Sequence, residues 1–298
     1  MRNPAKVLYD RLAGLTKAGA SGASAEIKGN GDQAARTSIT DQERYLDICT
    51  LAASDPSVFA RFRRETAYLE VLDHVTESEG ADYLKVLRRE SSDLLREHLG
   101  VFRANDLYGS PNTYHYPEIG YLSPTTLRYI KVLSELERHF GDLTGKRIVE
   151  IGVGYGGQCR LIASYWRVRS YTLIDLDPAL DLARVYLGKF VKSDPAILDP
   201  LEFLNPDAEF EGPYDLCISN YAFTELSRKV QERYVDGVIR CSRSGYMTCN
   251  FISQGFGINS MSPEELITLH SGSEWLPEEP LTHPDNRILV WGTLSEAG

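Results

Sequence analysis

The chain is short of several things that would narrow its function at once. It has no cluster of Lys and Arg: 32 basic against 42 acidic residues leave a net charge of −10. Such a balance on average repels a nucleic-acid backbone and disfavours an anionic membrane surface. No apolar run is long enough to span a bilayer, and the opening "MRNPAKVLYDRLAGL" lacks the apolar core of a signal peptide, so a cytoplasmic protein is expected. The five cysteines (Cys49, Cys159, Cys217, Cys241, Cys249) are odd in number, dispersed, and never at metal-ligand spacing. That excludes a disulfide framework and a zinc site, leaves reduced thiols filling apolar positions, and assigns no metal. Large apolar side chains are almost missing from residues 14–37, "GLTKAGASGASAEIKGNGDQAART". Such a stretch cannot offset its ordering entropy by burial, so residues 1–39 read as a flexible tail. No internal repeat is visible.

What is present is ordinary for a globular chain: 42% hydrophobic and 25% charged residues over 298 positions, enough for one large or two modest domains. From Thr40 the pattern is helical. "TDQE" reads as a capping box ahead of "RYLDICTLAA". Asp55-Pro56 starts a helix through "SVFARFRRETAYLEVLDHV", and "ADYLKVLRRE" and "DLLREHLGVF" follow. "SPTTLRYIKVLSELERHF" opens on Ser123-Pro124 and sets Leu127, Ile130, Leu133, Leu136 and Phe140 on one face. Residues 40–143 therefore read as a helical module with an irregular interruption at 104–122.

After Gly145 the texture changes. "RIVEI" (147–151), "YTLID" (171–175), "LEFL" (201–204), "YDLCIS" (214–219), "GYMTCNF" (245–251) and "RILVWG" (287–292) are short apolar runs. Helix-length segments such as "PALDLARVYLGKF" and "RKVQERYVDGVI" lie between most of them, which predicts an α/β fold with a doubly wound, mostly parallel sheet over 144–298.

Gly152, Gly154 and Gly156 follow the first of these strands immediately. Without Cβ atoms they allow a tight turn and close approach of a ligand, and the helix that follows favours negative charge at its start. Gly152, Gly154 and Gly157 also satisfy the dinucleotide fingerprint G-x-G-x-x-G. Glu150 counts against that reading: an acid at the strand end would oppose a pyrophosphate, yet it suits a ligand with a cationic amino-acid end.

"VEIGVGYGG" resembles motif I (E/D-x-G-x-G-x-G) of class I S-adenosylmethionine-dependent methyltransferases, and "YTLIDLDPAL" resembles that superfamily's next element, a strand closed by an acid. More narrowly, "GSPNTYHYPEIGYLSPTTLRYIKVL", "VEIGVGYGGQCRLI", "YDLCISNYAFTELS" and "HPDNRILVWG" are similar to a sugar O-methyltransferase family of bacterial biosynthetic clusters. The resemblance implies a seven-stranded Rossmann-like sheet with an antiparallel last strand, and S-adenosyl-L-methionine as cofactor. It also implies methylation of a hydroxyl on a sugar, sugar nucleotide or glycosylated natural product. By it Asp175 receives the two ribose hydroxyls, Glu150 and the glycine turn hold the cofactor, and Asp177 and Pro178 are the N-cap and first-turn proline of the next helix. A small sugar-containing molecule is the expected partner, with no nucleic acid or membrane; homo-oligomerisation stays open.

A sugar hydroxyl needs a base within hydrogen-bond reach. Strand carboxyl ends should border the site, which selects Glu225 and His283, and the irregular aromatic segment of the helical module adds His115. His115 lies in "NTYHYPEIGY", where with Tyr114, Tyr116 and Tyr121 it forms either a lid suited to a sugar ring or a packed loop. Glu225, after the strand carrying Asn220 and Tyr221, is a base, an acceptor for a substrate hydroxyl, or a helix-start acid. His283 lies with Asp285 and Asn286 in the loop before the last strand, and is either a base or a surface histidine. Asn220 could orient cofactor or acceptor through its amide, and Tyr221 stands at the strand tip facing the acceptor. Arg128 either binds an anionic substrate group or pairs with an acid. His139 and His270 belong at the remote edge, and His74 and His98 on helices read as structural. Three other readings stay open: a non-sugar acceptor, a nicotinamide-dependent oxidoreductase, and a non-catalytic S-adenosylmethionine-binding subunit.

Overall fold

The computed structural model describes Ser38, residues 43–190 and residues 201–294. The expected tail, apart from Ser38, and the capping box at Thr40 lie outside the described residues. The chain enters as helix α1 (Glu43–Ser54), followed by two one-turn helices, α2 (Pro56–Phe59) and α3 (Thr66–Leu69). Longer helices α4 (Glu77–Glu90) and α5 (Ser92–Arg103) lead to a hairpin of β1 (Tyr114–Tyr116) and β2 (Gly120–Leu122), then to α6 (Pro124–Phe140). From there strands and helices alternate: β3 (Arg147–Ile151), α7 (Gly157–Tyr165), β4 (Ser170–Ile174), α8 (Asp177–Gly188), β5 (Leu201–Leu204), β6 (Tyr214–Asn220), α9 (Arg228–Tyr234), β7 (Ser242–Cys249). A one-turn α10 (Pro263–Leu266) precedes the closing pair β8 (Glu274–Pro277) and β9 (Arg287–Trp291).

Seven strands form one sheet in the order β5-β4-β3-β6-β7-β9-β8. β3 pairs in parallel with β4 and β6, β4 with β5, and β6 with β7, whereas β9 runs antiparallel to both β7 and β8. The fold is thus a mostly parallel, seven-stranded, Rossmann-like α/β sheet. Strand order reverses beside β3, so the crevice at the carboxyl ends of β3 and β6 is where such a sheet binds ligands.

Local chemistry explains most boundaries. Asp55 caps α2 by accepting from the Ser57 amide at 2.7 Å, and Ser123 caps α6 by accepting from the Thr126 amide at 3.1 Å. Ser123 is itself held by Asp106, which accepts from its amide and its hydroxyl, each at 2.7 Å. Leu127, Ile130, Leu133 and Leu136 are fully buried as the period predicts, but so are Arg128, Lys131 and Glu135. α6 is enclosed nearly all round rather than half-exposed. Cys49, Cys159, Cys217 and Cys249 are free thiols in the interior.

Three expectations fail. The single helix expected from Pro56 to Val75 is broken, because Glu65 is extended (φ −68°, ψ 133°) and the Arg63 amide donates to Gly109 O at 3.1 Å instead of continuing a helical ladder. The irregular stretch 104–122 contains the β1–β2 hairpin. The first residue of α8 is Asp177, so its N-cap is Leu176 and not Asp177. No helix among the described residues is long and apolar enough to cross a membrane.

Candidate active site

The glycine turn sits where the topology asks for it. Gly152 continues the β3–β4 ladder by donating to Ile174 O at 2.8 Å, after which Gly152, Gly154 and Gly156 take φ of +79°, +54° and +82°. Side-chain-bearing residues rarely adopt such values. Space is equally decisive: a Cβ at Gly152 would lie 2.1 Å from the Ala222 Cβ, and one at Gly154 2.6 Å from Leu72 Cδ1. The loop before α4 therefore lies directly against the turn. Asp175, at the carboxyl end of β4, accepts from the Gly154 amide and from the Leu176 amide, each at 2.8 Å. Burial pushes its carboxyl up to about 6 against those amide bonds, which act to lower it. Two acceptor oxygens beside an open-backbone turn match a vicinal diol in donor–acceptor chemistry.

Glu150 does not present its charge to the turn. It shares the buried face of β3 with Ile148, is 2% exposed, and accepts from the Tyr171 hydroxyl at 2.5 Å. Burial, reinforced by Asp175, pushes its carboxyl up to about 8, opposed by the Tyr171 bond. The acid expected to answer an ammonium is held under the turn in its neutral form at pH 7.

A narrow cleft opens beside the tips of β6 and β7, lined among others by Tyr83, Arg128, Lys131, Asn220, Tyr221 and Glu278. Tyr221 holds a left-handed backbone (φ +68°), costly for an aromatic residue. It is fixed there by its amide, which donates to Thr248 O at 2.7 Å, and by its hydroxyl, which donates to Glu278. Asn220 accepts from the Thr248 hydroxyl at 3.3 Å, and its Nδ2 has no partner. Lys131 pairs with Glu135 at 2.7 Å, and Glu135 also accepts from the Tyr246 hydroxyl. Arg128 stacks over Tyr129 and Tyr221, its guanidinium carbon 5.6 and 5.8 Å from their ring centres.

Of the expected site residues, the structure brings Asn220, Tyr221 and Arg128 together here, and sets Asp175 and the glycines beside one another at β3 and β4. His115 and Tyr121 are elsewhere. They face each other across the hairpin on its solvent side, ring centres 5.3 Å apart, with Tyr121 68% exposed. The period-2 alternation that buries Tyr116 and Leu122 turns them outward, and Tyr114 is half-buried against the main core. Glu225 ends the short helix after β6, and the Asn250 amide donates to it at 2.6 Å. Burial pushes its carboxyl up to about 7. His283 lies in the β8–β9 connection, its ring 3.9 Å from Asp285. Asn286 is buried, donating to Glu278 at 3.2 Å and to the Thr282 hydroxyl at 2.9 Å, so it supports Glu278 and does not line the cleft. His139 and His270 are remote, the latter stacked on Trp291, and His98 packs edge-on against Tyr165.

Two residues escaped the sequence reading. Glu278, in "LPEEPLTH", carries no signal that separates it from a solvated acid. His74 read as part of a helix; the break in that helix puts it two residues beyond Leu72, with Nδ1 buried and unpartnered. Burial and the nearby Arg128 charge press its imidazole down to about 4, so it is neutral at physiological pH. Among the described residues no group of three His, Cys, Asp or Glu side chains is placed to hold a metal ion.

No family model matches the chain, and no curated protein matches it. Several solved structures do, at low identity. Phosphoethanolamine N-methyltransferase 2 of Haemonchus contortus, in complex with S-adenosyl-L-methionine, is 18% identical over 66% of this chain and 46% of its own length, with a TM-score of 0.41. The pyocyanin biosynthetic protein PhzM is 14% identical over 72% of this chain and 73% of its own, also at 0.41. Protein 1320 of Thermoplasma acidophilum is 17% identical over 58% and 91%, at 0.36. These are distant similarities in chain path, and the fold assignment rests on the strand order of the chain itself.

Proposed function

We propose that this chain is an S-adenosylmethionine-dependent methyltransferase, and that its acceptor is a hydroxyl of a sugar, sugar nucleotide or glycosylated natural product. The observation that carries the reading is the pairing of the left-handed glycine turn with the Asp175 carboxylate, at the point where strand order reverses. When bound, the cofactor supplies an electrophilic methyl group on a sulfonium. Gly152, Gly154 and Gly156 hold its amino-acid and adenosyl parts against bare backbone, and Asp175 accepts from the ribose hydroxyls. The acceptor would enter at the cleft at the tips of β6 and β7, whose free volume of about 10 Å³ must widen to admit a sugar, and where Tyr83 and Tyr221 offer ring faces and Asn220 an amide donor. Holding the hydroxyl in line with the methyl group supplies much of the rate. Of the three expected bases we favour Glu225, which follows Asn220 and Tyr221 just past the end of β6 and whose carboxyl burial pushes up to about 7. Glu225 would take the proton that the acceptor hydroxyl gives up when its oxygen replaces sulfur on the methyl carbon.

Thermal melts with S-adenosylmethionine, S-adenosylhomocysteine, NAD and NADP test the cofactor. Stabilisation of roughly 2.7 kcal/mol at about 100 times the dissociation constant is expected with the two S-adenosyl compounds only, and should vanish in Asp175→Asn. Because Asp175 also braces the turn, the ligand-free melt of that variant is the reference. Stabilisation by a dinucleotide instead would point to an oxidoreductase. Glu225→Gln should keep S-adenosylhomocysteine binding and lose turnover.

A further inference from the structure

Arg128 is a buried cation that no carboxylate among the described residues pairs with directly; Asp73 favours its charge only from beyond ion-pair distance. Arg128 is 7% exposed, and its polar contacts are a single 3.5 Å donation to Leu72 O and the two ring faces already described. Its Nε is buried without a partner. Among the described residues, the acids near it are bonded to other partners. Asp73 takes a two-pronged bond from Arg63 at 2.6 and 3.0 Å, and Glu135 pairs with Lys131. Glu278 accepts from the Tyr221 hydroxyl, from the Thr282 amide and hydroxyl, and from Asn286. The second unpartnered donor, Asn220 Nδ2, lines the same cleft. Burying a guanidinium without a carboxylate is costly, and aromatic stacking offsets only part of that cost. A planar fork of N–H donors beside a free amide donor is complementary to an oxyanion.

We propose that Arg128 and Asn220 form an oxyanion subsite for the acceptor, so that the preferred acceptor is an acidic sugar or glycoside bearing a carboxylate or phosphate. The assignment to the acceptor rests on the methyltransferase reading above. The cleft is lined by α4, α6, β6 and β7 and by Glu278 from the β8–β9 connection, whose charge the Tyr221, Thr282 and Asn286 donors already take up; no residue of the glycine turn lines it, nor does Asp175, and we therefore assign it to the acceptor.

Calorimetric titration of the full chain with glucuronate, glucose 1-phosphate and glucose, each with and without S-adenosylhomocysteine, tests this. One of the charged probes should bind at least about tenfold more tightly than glucose, equal to about 1.4 kcal/mol. That preference should disappear in Arg128→Gln and in Asn220→Asp, the latter placing a negative charge where the ligand's would lie. Equal affinity for all three probes overturns the proposal, as does a preference that both variants leave intact. If Arg128→Gln fails to fold, Asn220→Asp decides. A parallel comparison of S-adenosylhomocysteine with methylthioadenosine, which lacks the amino-acid part, separates the two sources of an oxyanion. A loss confined to S-adenosylhomocysteine in Arg128→Gln gives the guanidinium to the cofactor and overturns the acceptor assignment. Failure of the wild type to bind S-adenosylhomocysteine would sink the methyltransferase reading, while the sugar titrations without it still decide whether the cleft takes an oxyanion.

Discussion

Glu150 and Asp175 lie at the carboxyl ends of adjacent strands, Asp175 two positions beyond the Leu173 that pairs with Glu150, and the fold treats them differently. Asp175 keeps three backbone donors at its oxygens; Glu150 has the Tyr171 hydroxyl and an apolar surround. The carboxyl of Glu150 therefore holds its proton more tightly folded, at about 8, than unfolded, at the ordinary 4.5. Its contribution is most favourable below the unfolded value and is lost as pH rises through the folded one. Glu150→Gln keeps an acceptor for Tyr171 and removes the titration. The variant should gain on the wild type as pH rises from about 5 to about 8, by a few kcal/mol at about 1.4 kcal/mol per unit of displacement. Urea midpoints at pH 5, 6.5 and 8 measure it, and a constant difference across that range would show that Glu150 does not titrate in the window. The glycine turn was legible here because a residue type was tied to a backbone demand: glycines where φ must be positive, an acid closing a strand. The orientation of Glu150 was not legible, since the same alternation that sets the strand also decides which face its carboxyl takes.

At the scale of elements, the sheet was easier to read than its edges. β3, β4, β6 and β7 are apolar runs of five to eight residues, whereas β8 (EWLP) and the hairpin strands (YHY and GYL) have three or four residues and no sustained period. Such strands exist because a neighbour pairs with them, and no local signal reports a neighbour. The break after α2 has the same origin: Arg63 must reach Asp73, Asp106 and the face of Tyr155, and tertiary demand overrides helical period. Pairing also imposes its own rules within the sheet. Gly245 stands opposite Trp291 in the β7–β9 register, and a Cβ there would meet the indole carbons at 2.0–2.5 Å. Gly245→Ala should destabilise by about 1–3 kcal/mol or more through overpacking, and a smaller ring at position 291 should recover part of the loss, as a double-mutant cycle would reveal. An unchanged urea midpoint for Gly245→Ala would contradict the register.

Over the whole molecule, one apolar core runs from Tyr45 and Phe62 in the helical segment to Tyr246 and Val290 in the sheet. α1 packs on α8 and α4 on α6. Tyr155, in the middle of the glycine turn, is wrapped by Phe62, Tyr68, Tyr129 and Tyr186. The helical segment and the glycine turn are thus built into each other, a relation invisible to local pattern because Phe62, Tyr68 and Leu72 meet residues more than eighty positions further along the chain. One consequence concerns time. With Leu72 lodged against Gly154, a ligand that needs the bare backbone of the turn must wait for that loop to lift. Its observed association rate should level off as concentration rises instead of climbing linearly. In stopped-flow fluorescence with S-adenosylhomocysteine, Leu72→Ala should raise the plateau and tighten binding, because less of the population is closed. A rate that stays linear in the wild type would mean the turn is already accessible, and that the Leu72 contact governs packing alone.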